Sequence, residues 1–298
     1  MKIMVTYAGA AGALGVIKMV NSSRYKDDVE IIAIDSNEHA VGLSWVDKSY
    51  VISNYPSGES DLKKIIDDEK PDLILPMGDE DLSFLSQFEN SYMSDTEIID
   101  LCNDKWFFHE HYSNFYEKEL PKTSLDAWVF DDYPIIQKPR VGRGSRGVRL
   151  IENSNDMASV LDTPMVIYQE YLPGQEWTID CLITDEEKII IPRKRLSVKA
   201  GNSTCGKIEL NTEIISFLKR FFEGTKYFGV LCVQMKEDKF GKLKLTEINP
   251  RFGGGSIFSS LAGVNFMEII LAKKYGHDYL INTPKDITVS RYWDEVVS

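Results

Sequence analysis

The sequence predicts an α/β protein that turns α+β in its second half, and three observations carry that reading. Through the first hundred residues, short apolar runs alternate with amphipathic stretches. Beyond residue 105, short strands follow one another with glycine-rich or polar links. Near the end, "KLKLTEINPRF" sets Glu247, Asn249 and Arg251 two apart in a strand-like run. Strands that alternate with helices form a parallel sheet covered on both faces. Positions two apart in a strand share a face, so a carboxylate, a carboxamide and a guanidinium stand side by side. None of the three is buried without cost unless it finds a partner.

The elements follow in order. "KIMVTYA" reads as a buried strand, and glycines 9, 12 and 15 interrupt the chain around the helical "ALGVIKMVNSS". "VEIIAIDSN" is a second strand ending in Asp35, and "KSYVIS" a third. "DLKKIIDDEKP" is an amphipathic helix stopped by Pro71; "DLILPMGDEDLSFLS" is a strand, a polar loop and a helix. Residues 105–116 form an aromatic-rich helix, and "YPIIQKP", "RGVRLI" and "MVIYQEYL" are short strands. "WTIDCLIT" and "KIIIPRKRL" pair antiparallel about a turn at 185–187, and a helix at 212–222 precedes the last hairpin. Boundaries near 103 and 172 divide the chain into residues 1–103, 104–172 and 173–298.

Composition narrows the function. The 298 residues, 43% hydrophobic and 27% charged, are ordinary for a soluble globular protein. A net charge of -12 argues against a nucleic-acid surface, which needs a basic patch to neutralise phosphates. Cys102, Cys181, Cys205 and Cys232 lie far apart with no CxxC, as expected of small buried thiols in a reducing cytosol. No apolar run approaches the ~18 residues of a membrane span. The N-terminus moves straight into strand and turn rather than a signal peptide. The expectation is a cytoplasmic protein with neither membrane nor nucleic-acid partners.

"GVLCVQM" and "KLKLTEI" flank the polar "KEDKFG" as a hairpin. If Phe240 and Gly241 are its central residues, Gln234 stands opposite Glu247 and joins the polar cluster. Oxygen ligands from Glu and Asn suit a Mg²⁺ that keeps waters and takes phosphate oxygens, with Arg251 offering its fork to a phosphoryl group. A surface Glu–Arg pair beside a solvated Asn is the plainer alternative.

"IIQKPRVGRGSRGVRL" places Lys138 at a strand end, ahead of Gly142, Gly144 and Gly147 and interleaved arginines. A glycine loop lets backbone N–H groups close on phosphate oxygens, and lysine supplies a point charge. It is not a Walker loop, since GxxxxGK[ST] is absent. "VIYQEYLPGQEWTID" is a strand leaving into a Pro-Gly turn, where unpaired backbone can read an adenine edge and Glu176 can meet ribose hydroxyls.

Taken in order, these segments resemble the ATP-grasp superfamily over residues 1 to 270, closest to the ATP-binding units of carbamoyl-phosphate synthetase large subunits and biotin carboxylases; "EINPR" matches the family's metal strand residue for residue. The resemblance implies a Rossmann-like pre-grasp domain followed by a two-lobed ATP-grasp domain. It implies Lys105 and Lys138 on the ATP phosphates, under a mobile loop that includes Gly144, Ser145 and Gly147. Adenine would meet the Gln169–Glu170–Tyr171–Leu172 stretch, through the backbones of Glu170 and Leu172, and the ribose would meet Glu176. Glu247 and Asn249 are the implied ligands of Mg²⁺ (or Mn²⁺), with Gln234 near the metal and Arg251 on the transferring phosphoryl group. The implied reaction is ligation: a carboxylate is activated as an acyl phosphate and attacked by an amine or similar nucleophile. Arg193 and Arg195, with Lys199, share one side of their strand if it continues, facing either the acyl substrate or solvent. One grasp unit, with no second synthetase half and no glutaminase segment, fits a small carboxylate–amine ligase better than a carbamoyl-phosphate synthetase. A homodimer or a partner subunit that completes the site stays open.

Three rival readings compete. A kinase would use the same ATP site on a hydroxyl, and a non-catalytic ATP-binding regulator would lack the intact metal strand. An NAD-binding oxidoreductase would use "VTYAGAAGALG" and Asp35, twenty residues beyond Gly15, although G-x-x-G-x-x-G matches the dinucleotide fingerprint only loosely. In the ligase reading the same glycines and the "GDED" acids Asp79 and Glu80 border the acceptor substrate. His109 and His111 point apart on a helix, so a solvated face is expected of them rather than a metal.

Overall fold

The computed structural model describes residues 1–142, 144, 146–158, 163–199 and 201–296. Its first unit comprises β1 (Lys2–Val5), α1 (Ala11–Asn21), β2 (Glu30–Asp35), β3 (Lys48–Val51), α2 (Glu59–Glu69), β4 (Leu73–Leu75), α3 (Leu82–Leu85) and α4 (Thr96–Asn103). The strands pair in parallel in the order β3-β2-β1-β4. Next come α5 (Lys105–Tyr116), β5 (Thr123–Ser124), β6 (Ile135–Pro139), β7 (Arg149–Ile151), α6 (Ser154–Ala158) and β8 (Val166–Glu170). Here the strands form an antiparallel sheet in the order β5-β8-β6-β7. The rest holds β9 (Glu176–Ile183), β10 (Lys188–Lys199), β11 (Asn202–Ile208), α7 (Thr212–Phe221), β12 (Gly229–Glu237), β13 (Leu243–Asn249), α8 (Ile257–Leu261), α9 (Phe266–Tyr275) and β14 (Thr288–Ser290). Its sheet runs β13-β12-β9-β10-β11-β14. Among the described residues no helix is long and apolar enough to cross a membrane.

Alternation along the strands decides which core each side chain enters. In β9, Ile179, Cys181 and Ile183 pack beneath α7, while Leu182 faces the other way. Helix α7 buries Ile214, Phe217, Leu218 and Phe221, a helical stripe worth on the order of 2 kcal/mol per side chain. Asn211 caps it by accepting the Ile214 N–H at 3.1 Å. Helix α1 is buried on most of its circumference because two layers enclose it. Ile3 and Val5 of β1 lie in the same core as Val16 and Ile17 of α1, Ile191 of β10, Phe258 of α8 and Ile270 of α9. The N-terminal parallel sheet and the six-stranded sheet therefore share a core through α1.

The last hairpin reaches its register by a different route from the one expected. Its loop is five residues long, Asp238 to Lys242, with Glu237 opposite Leu243. Continued unbroken, that ladder would set Gln234 opposite Thr246. A bulge at Thr246 adds one residue to β13 and brings Glu247 opposite Gln234. Leu243, Leu245 and Ile248 stay in the core, and Lys244, Thr246, Glu247 and Asn249 are left on the polar face.

Candidate active site

The ends of β6 and β8, the glycine loop and the first turn of α5 meet β9, β10, β12 and β13 around a cavity of about 320 Å³. Lys105, Lys138, Gly144, Gln169, Glu170, Tyr171, Leu172, Glu176, Arg195, Gln234 and Glu247 line it. Gly147, Arg193, Asn249 and Arg251 do not, and Ser145 lies outside the described residues. Gly142, Gly144 and Gly147 all have positive φ, at 145°, 62° and 73°. A Cβ on Gly201, at the β10–β11 tip, would stand 3.0 Å from the Gly144 Cα, so the two loops approach closely where Gly201, itself at φ 78°, has no side chain.

The floor is the polar face of β13. The Asn249 carboxamide N–H donates to Glu247 Oε1 at 3.1 Å and to the Cys232 carbonyl at 3.4 Å. Those bonds leave the Asn249 side-chain oxygen without a donor among the described residues. Among the described residues no three His, Cys, Asp or Glu side chains gather into a metal cage. One carboxylate and one carboxamide oxygen fit a hard cation that keeps waters and shares phosphate oxygens, as Mg²⁺ does, and fit a fully protein-caged metal poorly.

Above that floor stands Lys138. Burial pushes its ammonium down to about 8; Glu247 pulls the other way, and Lys105 adds to the lowering. Lys138 has no hydrogen bond and no carboxylate within 4.0 Å among the described residues. A half-buried cation without a partner is costly, which suits a group that waits for an anion. Lys105 donates to the Gly142 carbonyl at 2.8 Å. Its position is set by Asp104, which caps α5 at the Trp106 and Phe107 N–H groups and forks the Arg140 guanidinium at 2.7 to 3.1 Å. One carboxylate thus ties the helix bearing Lys105 to the strand bearing Lys138.

At the other end, β8 stops at Glu170, and the Tyr171 and Leu172 N–H groups make no backbone bond among the described residues. Ile136, Val148, Leu172 and Val198 add an apolar wall, which with unpaired amides suits a flat heteroaromatic ring. Glu176 pairs with the Arg195 guanidinium, which also donates to the Gly201 carbonyl at 2.6 Å. Lys236 and Thr246 line the cavity as well, and the sequence reading missed both. Lys236 was recoverable by alternation, two residues beyond Gln234; Thr246 was not, because its place comes from the bulge.

The two strand arginines part company. Arg193 is 1% exposed, with its guanidinium 3.4 Å from Asp180, 3.2 Å from the Ser203 hydroxyl and over the Phe258 ring. It shares a face with Arg195, as alternation requires, but residues 253–259 cover that face, so it sits beneath the site rather than in the cavity. The bulges between Arg195 and Val198 break the alternation beyond, and Lys199 ends near Trp293. Arg251 forks Asp79 at 2.5 and 2.9 Å and donates to the Phe252 carbonyl at 3.0 Å.

Asp35, the acid of the dinucleotide reading, is engaged by its neighbours. Asp35 accepts the Gly9 N–H at 2.8 Å and the Asn37 N–H at 2.9 Å, so it closes its own loop. A Cβ on Gly12 would stand 3.5 Å from the Phe252 and Gly253 carbonyls, and one on Gly15 3.3 Å from Ile257. These glycines let α1 approach residues 252–257. A larger cavity of about 460 Å³ lies by the start of α9, but its Arg24 is already engaged by Glu268 and the Asp278 carbonyl, and no reactive set converges there.

Residues 162–294 match the family model described as ATP-grasp in the biosynthetic pathway with Ter operon. The carbamoyl phosphate synthase large chain of Clostridium perfringens is 24% identical over 283 aligned positions, which cover 82% of this chain and 26% of that one. The D-alanine–D-alanine ligase of Petrotoga mobilis is 32% identical over 137 positions, 41% of this chain and 45% of that one. The chain therefore spans about a quarter of the first relative and under half of the second. Among solved structures, the biotin carboxylase domain of Hydrogenobacter thermophilus 2-oxoglutarate carboxylase, crystallised with MgADP and bicarbonate, superposes with a TM-score of 0.71 at 15% identity, covering 93% of this chain and 70% of that one. The chain resembles an ATP-grasp family model in sequence over residues 162–294, and in fold it resembles the carboxylase domain over nearly its whole length.

Proposed function

We propose that the chain is an ATP- and Mg²⁺-dependent ligase that activates a carboxylate as an acyl phosphate for attack by an amine or similar nucleophile, forming a C–N bond with release of ADP and phosphate. The observation that carries this reading is Lys138, a half-buried cation without a partner among the described residues, in one cavity with Glu247, whose carboxylate Asn249 joins from the adjoining strand end. Both named relatives are synthases or ligases, and the carboxylase domain holds MgADP with bicarbonate.

In this reading residues 1–103 are a Rossmann-like pre-grasp domain, 104–172 the small lobe and 173–298 the large lobe. Tyr171 and Leu172 offer backbone to adenine between the Ile136, Val148 and Val198 walls, and Glu176 takes the ribose while Arg195 holds its carboxylate. Lys105 and Lys138 neutralise the phosphate oxygens, and the loop bearing Gly142, Gly144 and Gly147 covers them and excludes water from the acyl phosphate. Glu247 and Asn249 hold the metal, with Gln234 beside them on the neighbouring strand. When bound, Mg²⁺ supplies charge neutralisation on the phosphoryl oxygens. Arg251, two residues beyond β13 and held by Asp79, stands outside the cavity lining, and the transferring group is its assignment by resemblance alone. The work of these residues is positioning and electrostatic stabilisation.

Calorimetric titration with ATP, with and without Mg²⁺ and beside NAD(P)H, tests the reading. Mg²⁺-dependent ATP binding, weakened about tenfold by Glu247→Gln and accompanied by no response to NAD(P)H, is the expected result. Binding of NAD(P)H without ATP would overturn it.

A further inference from the structure

Four charged residues stand in register across the six-stranded sheet. Lys194 is opposite Trp177, which brings Arg195 of β10 beside Glu176 of β9. Glu176 is opposite Lys236 of β12, and Lys236 is opposite Lys244 of β13. Residues opposite one another share a face, so the order of charge across that face is plus, minus, plus, plus. Glu176 is taken by Arg195. Lys244 donates to the Lys118 and Leu120 carbonyls at 2.8 and 3.3 Å and lies 3.9 Å from Glu170. Lys236, half-buried in the cavity lining, has no hydrogen bond and no carboxylate within 4.0 Å among the described residues. Its ammonium lies 5.8 Å from the centre of the Tyr171 ring, while the like charge of Lys244 opposes any approach to β13.

The strand register also says which end of the cavity this lysine serves. Lys236 is two residues beyond Gln234, the partner of Glu247, and so stands about 7 Å along β12 from the metal end. Tyr171, whose ring it approaches, and Leu172 follow β8 at the end assigned to the base. Other polar side chains nearby are already engaged: Glu176 by Arg195, and the Thr246 hydroxyl by the Gln234 carbonyl at 3.0 Å. An ammonium that is half-buried and makes no hydrogen bond is costly, so the acceptor it lacks is expected from a ligand. Phosphate oxygens belong with Lys105, Lys138 and Glu247 at the other end. A flat heteroaromatic base offers a different kind of acceptor, the lone pairs of its ring nitrogens, and a purine carries them at N3 and N7.

We propose that Lys236 is a specificity-determining residue of the nucleotide site, its ammonium donating a hydrogen bond to a purine ring nitrogen, N3 or N7, of ATP. The inference rests on the ATP reading of the cavity and adds to it a side chain that reads the base. The contact with Tyr171 is weak enough to be exchanged for a charge-assisted hydrogen bond. Backbone amides of residues 171 and 172 accept any base of the right shape and edge; Lys236 makes the ring nitrogen count as well. A base lacking that nitrogen leaves the ammonium without an acceptor, and the loss appears in affinity.

The test titrates the full chain by calorimetry with MgATP and with the Mg²⁺ complexes of 7-deaza-ATP and 3-deaza-ATP, in which C–H replaces one ring nitrogen. Wild type is expected to bind one analogue about tenfold more weakly than ATP and the other about equally. Weakening by 7-deaza assigns N7, and weakening by 3-deaza assigns N3. Lys236→Met is expected to bind ATP about tenfold more weakly and to show no further loss with the sensitive analogue. Unchanged ATP affinity in Lys236→Met overturns the assignment. So does a wild type indifferent to both analogues, which would leave Lys236 a contact to the sugar or to the face of the base. A wild-type loss that persists in full in Lys236→Met belongs to another donor and overturns it too. Should Lys236→Met fail to fold, Lys236→Gln carries the comparison. No MgATP binding by wild type sinks the ATP reading and this inference with it, whereas MgATP binding indifferent to the substitution sinks the inference alone.

Discussion

Arg251 and Asp79 form a two-pronged ion pair, Nε to Oδ1 at 2.5 Å and Nη2 to Oδ2 at 2.9 Å, that joins the end of β13 to the loop after β4. Burial opposes the Arg251 charge, and Asp79 more than offsets it, so the guanidinium titrates above its ordinary range. Their side chains are 16% and 20% exposed. That is buried enough for the lone partner to suffer when the other is removed, and wet enough to soften the loss. Asp79→Ala is expected to destabilise the protein by about 2 kcal/mol and Asp79→Asn by about half as much. Urea unfolding measures both. Equal midpoints for wild type and Asp79→Ala would mean that the fork does not hold the two segments together.

Asp81, two residues on, makes the opposite kind of prediction. It is 1% exposed, and one of its oxygens has no partner among the described residues. Burial pushes its carboxyl up to about 7, against the Thr6 hydroxyl and with help from Glu80 and Asp79. The unfolded value is about 3.9, so between that pH and about 7 the native state binds more protons than the unfolded chain. The stabilisation from the protonated acid is complete below about pH 4 and is lost as pH rises through 7. Asp81→Asn should therefore match wild type near pH 4 and exceed it by about 3 kcal/mol near pH 8. A gain that is the same at both pH values would refute the assignment.

Much of this was legible before any coordinates, and what was not has physical causes. The parallel sheet, α5 and the β9–β10 pair could be read because periodicity and turn residues agree there. Opposition of Gln234 and Glu247 was expected from a turn, short or long, centred between Phe240 and Gly241; the loop is centred on Phe240 instead and a bulge at Thr246 restores the pairing, so the right contact came from two compensating differences. Strands β11 and β14 and helix α9 were not anticipated. Strand β14 is three residues at the chain end, and α9 is buried nearly all round, so neither shows a usable period. The burial of Arg193 was out of reach for another reason: alternation tells which face a residue takes, and only the later loop 253–259 decides that this face is covered.

Asp180 shows what that cover rests on. It is fully buried and accepts from Arg193 at 3.4 Å and from the Ser256 and Ser259 hydroxyls at 3.2 and 2.7 Å. Ser256 in turn accepts the Gly253 N–H at 2.9 Å, so one carboxylate anchors the loop that follows the metal strand. Asp180→Ala leaves a buried guanidinium beside Arg291 with no carboxylate, and a loss of about 3 to 5 kcal/mol is expected. Combining Asp180→Leu with Arg193→Met should recover most of it, because an apolar pair needs no desolvation of charge. Unfolding curves of the single and double variants read this directly, and a double variant no better than the single would point to hydroxyl bonds rather than the ion pair.

Lys138 carries the sharpest trade between stability and binding. Its folded-state value is lowered to about 8, against about 10.4 for an unfolded lysine. The unfolded chain therefore binds more protons between those values, and native stability rises with pH across the window. Below about 8 the full cost of burying the ammonium is present. Lys138→Met removes that cost and should stabilise the protein by about 2 kcal/mol near pH 7, an advantage that fades to nothing above about pH 10.5. The same substitution should weaken ATP by about tenfold or more, since it deletes a point charge from the phosphate end of the cavity. Urea midpoints at the two pH values, beside calorimetric titration with MgATP, give both quantities on one pair of proteins. A variant that is less stable at pH 7 would show that Lys138 already has its partner within the fold, and the phosphate role would pass to Lys105 alone.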